Sequence, residues 1–453
     1  MKKRLNRVMI AAAGSGSGKT MITCGLLNLL KKMNMDVTSY KCGPDYIDPM
    51  FHKTVLGIYG GNLDTYFCDD QAICEILAGC DNEYALMEGV MGIYDGLGGL
   101  DIKASSYDVA CRTSTPVILV VDAGGSARTL LSVIKGILAD DSLRLIRGII
   151  LNRVSKRFYE KISAFLDEEL KRDGYDVRTV GYLPHIKDAE IGSRHLGLMM
   201  PSEISDIKEK IDKISDVMKT TFDTAAIVDI MDKAKDIEFR DDADKRVVCE
   251  DVNIRIAVAK DEAFCFYYKE NLKLFEELGT EIVYFSPLHD KELPKDIHGI
   301  YFGGGYPELH LKELSDNKSM LDCVRKAIEN GLPSLAECGG FMYLHEEIED
   351  KKGNPYKMTG VIPGRCVWSE ELKRFGYVEI ESEDELDGMK GHEFHRYVST
   401  ADGDAVTVRK AGTDISYRSM YAGRDHVWGF MHMYYRSAPR FLQHFVEVMS
   451  DGR

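Results

Sequence analysis

The segment Ala13-Gly-Ser-Gly-Ser-Gly-Lys-Thr20 constrains this chain more than any other. It follows a short apolar run, residues 8–12, and precedes a helical pattern from Met21 to Leu30. Strand, glycine loop, Gly-Lys-Thr and helix, in that order, are the parts of a phosphate-binding loop. Glycines let backbone N–H groups approach phosphate oxygens, and the helix N-terminus adds a favourable field. In such a loop Lys19 reaches the terminal phosphates and Thr20 holds magnesium. Ala13 stands where the first glycine is usual, five residues before Gly18. A plain flexible turn after a strand is the competing reading, and Gly-Lys-Thr in this context disfavours it.

A phosphate loop of this kind needs a parallel sheet around it, and the first half supplies one. Apolar runs at 8–12, 37–41, 84–88, 117–122, 148–154 and 179–183 alternate with helical patterns. Their near-continuous Val, Ile and Leu content suits strands covered on both faces. Ligands bind beyond the carboxyl ends of such strands. Asp45 and Asp48 follow the second run, Glu88 ends the third and Asp122 ends the fourth. Residues 202–251 are charged and helical, ending in the polar stretch Arg240-Asp-Asp-Ala-Asp-Lys-Arg246, which places a domain boundary near 245–252.

A second α/β pattern then begins, with strands expected at 254–259, 281–285 and 299–302 and a helix at 267–278. Its chemistry centres on Pro333-Ser-Leu-Ala-Glu-Cys-Gly-Gly-Phe-Met-Tyr-Leu344. A buried strand over 332–336, a glycine turn and an apolar helix make a nucleophile elbow around Cys338. A thiol there is expected to be exposed and to have its pKa lowered by the helix N-terminus. Gly303-Gly-Gly-Tyr-Pro-Glu308 follows a strand and offers backbone N–H groups for an oxyanion hole, with a tight turn as the plainer alternative. A thiolate nucleophile needs a base. His289, His298, His310, His345, His392, His395, His426 and His432 are the candidates, and His432 has the best context, after Val427-Trp-Gly-Phe-Met431.

Composition narrows the class. A chain of 453 residues suggests two or three domains, and a net charge of -15 argues against general nucleic-acid affinity. The 11 cysteines form no Cys-x-x-Cys pair, and Cys68, Cys74 and Cys80 lack the company of a metal site. Such cysteine usage points to a reducing cytoplasm. The basic start Met-Lys-Lys-Arg precedes an apolar run too short for a signal peptide, and no segment has the apolar length of a membrane span.

Several motifs extend this reading. They are Lys41-Cys-Gly-Pro-Asp-Tyr-Ile-Asp-Pro49, Asn62-Leu-Asp64, Met87-Glu-Gly-Val-Met-Gly-Ile-Tyr-Asp-Gly96, Arg194-His-Leu-Gly-Leu198 and Phe264-Cys-Phe-Tyr-Tyr268. Gly303–Glu308, Ala336-Glu-Cys-Gly-Gly340, Arg374-Phe-Gly-Tyr377, Gly391-His-Glu-Phe-His395 and His432 complete the set. In this order, across almost the whole chain, they resemble the cobyrinic acid a,c-diamide synthase family. Gly60-Gly61 stands where that family often has Ser-Arg, and Cys42 where valine is common.

The resemblance implies an N-terminal phosphate-loop domain of dethiobiotin synthetase type over 1–200, a helical linker over 201–251 and a class I glutamine amidotransferase domain over 252–453. It implies ATP- and glutamine-dependent amidation of two acetate carboxylates on a tetrapyrrole, in the cytoplasm, with a homodimer left open and no nucleic-acid or membrane partner. Gly16, Gly18, Lys19 and Thr20 are then the ATP residues. Asp45 and Glu88 join Thr20 on Mg2+, Asp48 counts among the catalytic residues near substrate and metal, and Asp64 and Asp95 lie in the same vicinity. Asn152 matches a position that contacts the nucleotide base in related proteins. Cys338 forms the thioester, His432 is its base and Gly304 belongs to the oxyanion hole. Tyr434 occupies the place, two residues after the base, where many relatives carry a glutamate, so a Cys–His dyad is expected. Ammonia passing between domains is expected to need an enclosed passage. Corrin and nickel-sirohydrochlorin remain alternative substrates, and a nucleotide switch with an inert second domain is the rival of another class.

Overall fold

The computed structural model describes residues 1–187, 206–240 and 254–451, with the backbone alone of Ser193–Arg194 and Gly197–Leu198. The expected boundary at 245–252, and His195 and Leu196 of the Arg194–Leu198 motif, lie outside the described residues. The chain divides into two compact units, Met1–Asp241 and Asp242–Arg453.

The first unit is built on a seven-stranded parallel sheet. Its order is Gly61–Leu63, Val37–Cys42, Tyr84–Glu88, Asn6–Ala12, Val117–Asp122, Ile146–Asn152, Arg178–Leu183. Val8, Ile10, Ile118, Val120, Ile149 and Leu151 are fully buried, which is the both-faces burial that continuous apolar runs demand. The first of these strands in sequence, Asn6–Ala12, lies in the middle of the sheet. Strand order therefore reverses beside Asn6–Ala12, and the crevice at its carboxyl end receives the glycine loop. The edge strand Gly61–Leu63 has no counterpart in the sequence pattern.

The segment assigned to a linker contains two helices, Ile207–Thr221 and Thr224–Asp232. Within the charged sequence, Ile207, Ile211, Ile214 and Met218 form one apolar stripe at helical spacing, all buried. They pack on the Lys19–Lys32 helix at Gly25. A Cβ there would lie 2.5 Å from Ile214 and 2.8 Å from Met218.

The second unit has a six-stranded sheet ordered Thr280–Phe285, Ile254–Ala259, Gly299–Phe302, Ser334–Glu337, His426–Gly429, Tyr421–Ala422, parallel except for its last pair. Two further sheets of mostly antiparallel strands lie between 345 and 433. One of them pairs Arg374–Glu381 with Lys390–His395, and Lys390–His395 with His432–Met433. Their short, mixed strands carry no clear period in the sequence. Among the described residues no helix is long and apolar enough to cross a membrane.

Candidate active sites

In the first unit, the glycine loop leads from the central strand into the Lys19–Lys32 helix. Gly16 and Gly18 have φ of 75° and 91°, conformations that glycine adopts without a Cβ penalty. Gly18 is needed a second time: a Cβ there would lie 2.2 Å from the amide nitrogen of Asn152. Asn152 donates from that nitrogen to the Ser17 carbonyl at 2.8 Å, so its strand end buttresses the loop. Arg153 adds a contact that the sequence reading did not include. Its guanidinium pairs with Asp122 at 2.6 Å and donates to the Gly16 carbonyl at 3.2 Å.

Beyond the loop, two strand ends, carrying Lys41 and Glu88, and two helix starts, carrying Thr20 and Asp48, deliver a buried ionic cluster. Thr20 donates its hydroxyl to Glu88 at 2.6 Å and lies 3.4 Å from Asp48. At the centre is Lys41, whose Nζ is 2.5 Å from Asp48, 3.0 Å from Glu88 and 3.9 Å from Asp45. Lys41 is a functional candidate that its sequence motif alone does not single out. Its signal was position: it stands near the carboxyl end of its strand, where ligands bind. His52 is a second addition, with Nε2 3.6 Å from Glu88 Oε2.

Burial and charge compete in this cluster. Burial alone raises the Glu88 carboxyl, but Lys41, His52 and Thr20 outweigh it and hold it well below the usual range. Asp48 is pushed up by burial and then by Asp45 and Glu88. Lys41 stays charged because Asp48 and Glu88 overcome the cost of its burial. Lys19, buried and beside Lys41, falls to about 8. The other acidic candidates shape turns. Asp45 accepts from the Ile47 and Asp48 N–H groups at 2.9 and 3.1 Å. Asp64 accepts from Tyr66 N–H at 2.8 Å, and Asp95 from Gly92 N–H at 2.8 Å.

In the second unit, Cys338 ends the Ser334–Glu337 strand and caps the Gly339–Leu344 helix. Its φ of 48° and ψ of -104° are strained for a residue with a Cβ, and such strain persists where surrounding contacts enforce it. Those contacts are visible. Cys338 N–H donates to the Gly429 carbonyl at 2.8 Å, and Gly340 N–H to the Gly303 carbonyl at 3.0 Å. Gly339 and Gly340 permit close approach, since Cβ atoms there would meet Pro307 at 2.8 Å and the Phe302 carbonyl at 2.3 Å.

The expectation of an exposed thiol with a lowered pKa is corrected. Cys338 is 9% exposed, and burial, followed by the charge of Glu308, holds the thiol well above its ordinary value. The Gly339 N–H does favour the thiolate, as the helix-end argument requires, but desolvation is larger. Ionisation at this site therefore needs a proton acceptor. Neighbouring Glu337, hydrogen-bonded by Tyr301 at 3.0 Å and Tyr435 at 2.6 Å, is raised by burial to about 8. It therefore adds little negative charge beside the sulfur at neutral pH.

The glycine turn joins the elbow to the base candidate. A Cβ on Gly304 would lie 2.3 Å from Cε1 of His432, and a Cβ on Gly339 would lie 3.2 Å from Gly305 N. One turn thus touches both the Cys338 elbow and the His432 ring. His432 is 3% exposed, and burial keeps its imidazole neutral. Gly304→Ala is expected to displace this ring and lower glutamate release by about 10²-fold, leaving ammonia-driven amidation near wild type. Parallel assays with the two nitrogen sources check it.

Among the described residues no three His, Cys, Asp or Glu side chains group as a metal site. The Thr20 hydroxyl with one or two carboxylates is instead the protein share that Mg2+ takes when phosphates supply the rest.

Two family models divide the chain at these sites. Residues 8–198 match the CobQ/CobB/MinD/ParA nucleotide binding domain, and residues 255–437 match the CobB/CobQ-like glutamine amidotransferase domain. The chain is 40% identical over 410 residues to the cobyrinate a,c-diamide synthase of Clostridium tetani, spanning 89% of this chain and 90% of that protein. It is 36% identical over 452 residues to that of Clostridium acetobutylicum, spanning 98% and 100%. This chain belongs to the cobyrinate a,c-diamide synthase family. The cobyrinate a,c-diamide synthase of Thermoplasma volcanium is 37% identical over 402 residues, with 87% and 86% covered. As a member of the family the chain is an enzyme, a carbon–nitrogen ligase that joins a nucleotide-binding domain to a glutamine amidotransferase domain.

Proposed function

We propose that this enzyme uses ATP and glutamine to amidate the a- and c-acetate carboxylates of cobyrinic acid through acyl phosphates. The observation that carries the reading is the Thr20–Lys41–Asp48–Glu88 cluster beneath a phosphate loop, in one chain with a strained cysteine elbow. The relatives' shared name supports the substrate.

The chemistry needs both sites. A carboxylate resists ammonia because oxide leaves poorly. In the first unit a substrate carboxylate oxygen attacks the terminal phosphorus of ATP, giving an acyl phosphate and ADP. The loop N–H groups, Lys19 and Lys41 bear the charge of the transferring phosphoryl group, which is the main demand of such a step. Ammonia then attacks the acyl carbon, phosphate leaves, and the released proton goes to solvent. Thr20, Glu88 and Asp48, with Asp45 behind them, would hold Mg2+. Buried Glu88 Oε2 fits that use, since no hydrogen bond reaches it. When bound, the ion neutralises phosphate charge and aligns the terminal phosphate.

In the second unit Cys338 gives its proton to His432, and the sulfur lone pair attacks the glutamine side-chain carbonyl. Backbone N–H groups of the Gly304 turn receive the oxyanion. The C–N bond breaks as His432 returns the proton, releasing ammonia and leaving a thioester. Water, deprotonated by His432, hydrolyses it to glutamate and restores the thiol.

Product mass tests the reading. Cobyrinic acid and nickel-sirohydrochlorin are offered separately with ATP, Mg2+ and glutamine. Two carboxyl-to-amide conversions on cobyrinic acid are expected. Conversion of nickel-sirohydrochlorin alone would move the substrate to the other ring. ATP binding without any glutamate release would favour a switch.

Lys41 makes a separate prediction. Lys41→Met leaves Asp48 and Glu88 buried without their ammonium, which costs about 3–5 kcal/mol for a buried pair. The thermal midpoint of the first unit is expected to fall, and to recover partly with Mg2+ and ATP. Calorimetry with and without these ligands checks it.

A further inference from the structure

We propose that His392 is a positioning residue for the base, its ring face holding the plane of His432 while that ring carries the Cys338 proton. This rests on the reading of Cys338 and His432 as the glutamine-hydrolysing pair. His392 and His432 sit directly opposite each other in the paired strands Lys390–His395 and His432–Met433. Side chains so placed share one face of the sheet. Their rings are stacked, with centroids 4.8 Å apart and planes 12° from parallel. Gly391 lets the strands close up, since a Cβ there would lie 2.2 Å from the His432 carbonyl oxygen.

The clamp has two sides. His392 lies against the face of the His432 ring, while the Gly304 main chain lies at its Cε1 edge. His392 is itself held by Tyr268, whose hydroxyl is 3.0 Å from Nδ1. Tyr268 begins the Lys269–Glu277 helix and is buried edge-on against Tyr434, centroids 5.3 Å apart. Tyr434 therefore supports Tyr268, which supports His392, which faces the base.

The electrostatics leave that role to geometry. Burial lowers His392 to about 3, so it remains a neutral ring beside the base. Burial, and after it His392 and His395, lower the His432 ring, so the stacked face orients the base and does not stabilise its cation. The other titratable groups around this strand pair add little positive charge. His395 is lowered by burial to about 4 and stacks on Phe430. Glu393 is paired with Arg374 and hydrogen-bonded by Tyr417.

The test compares His392→Phe, which keeps an aromatic face, with His392→Leu, which fills the space without one. The readouts are glutamate release and the pH profile of Cys338 alkylation by iodoacetamide, read by mass on the peptide that carries Cys338. Ammonia-driven amidation reports on the fold. In His392→Leu glutamate release is expected to fall about 10-fold as the His432 ring leaves its working plane, and the alkylation profile to move about one unit to higher pH as Cys338 loses its aligned acceptor. His392→Phe is expected to stay near wild type in both. A wild-type profile in His392→Leu, or a His392→Phe as impaired as His392→Leu, overturns the proposal. Wild-type protein whose Cys338 neither alkylates nor releases glutamate would instead overturn the underlying pair.

Discussion

Cys338→Ala is expected to abolish glutamine-driven amidation while sparing amidation driven by free ammonia. The sulfur is the only atom of the elbow that can form the thioester, and loss of a covalent nucleophile costs on the order of 10⁴-fold or more. The fold should tolerate the change. Alanine keeps the Cβ at the strained φ of 48° and both backbone hydrogen bonds of the elbow. The phosphate-loop cluster belongs to the other compact unit and keeps its own chemistry. Product mass with each nitrogen source checks this, and equal loss of both activities would show that the two roles are not divided in this way.

Lys19→Ala should give the complementary pattern. Amidation should fall with either nitrogen source, by about 10²- to 10³-fold, the usual cost of one preorganised charge donor. Lys19 donates to the Gly14 carbonyl at 3.2 Å and to the Met91 carbonyl, so its amine already sits at the mouth of the loop. Burial lowers it to about 8, so part of its charge is lost as pH rises through that value. ATP-dependent turnover at subsaturating ATP should decline there. Alkylation of Cys338 should be unchanged in this variant. Normal amidation by Lys19→Ala would remove the phosphate role.

The sequence reading located the sheet strands closely because parallel strands are buried on both faces and leave continuous apolar runs. Tyr84–Glu88, Val117–Asp122, Ile254–Ala259 and Gly299–Phe302 lie where those runs stand. Gly61–Leu63 did not show, because three residues at a sheet edge carry too little pattern. The helix Ile207–Thr221 was legible as a helix, but its buried stripe was masked by the charges between its apolar residues.

By itself the sequence determined the phosphate loop, the cysteine elbow, the glycine turn and the order of the two catalytic halves. These are local: each needs a few neighbouring residues with particular backbone freedom. Tertiary structure alone decided which charges meet and which rings touch. Lys41 and Glu88, 47 residues apart, become partners because adjacent parallel strands end together. His392 was one histidine among many until strand register set it opposite His432. The acidity of Cys338 also depended on the fold. A helix end favours the thiolate locally, but burial is a property of everything packed around the sulfur, and here burial is the larger effect.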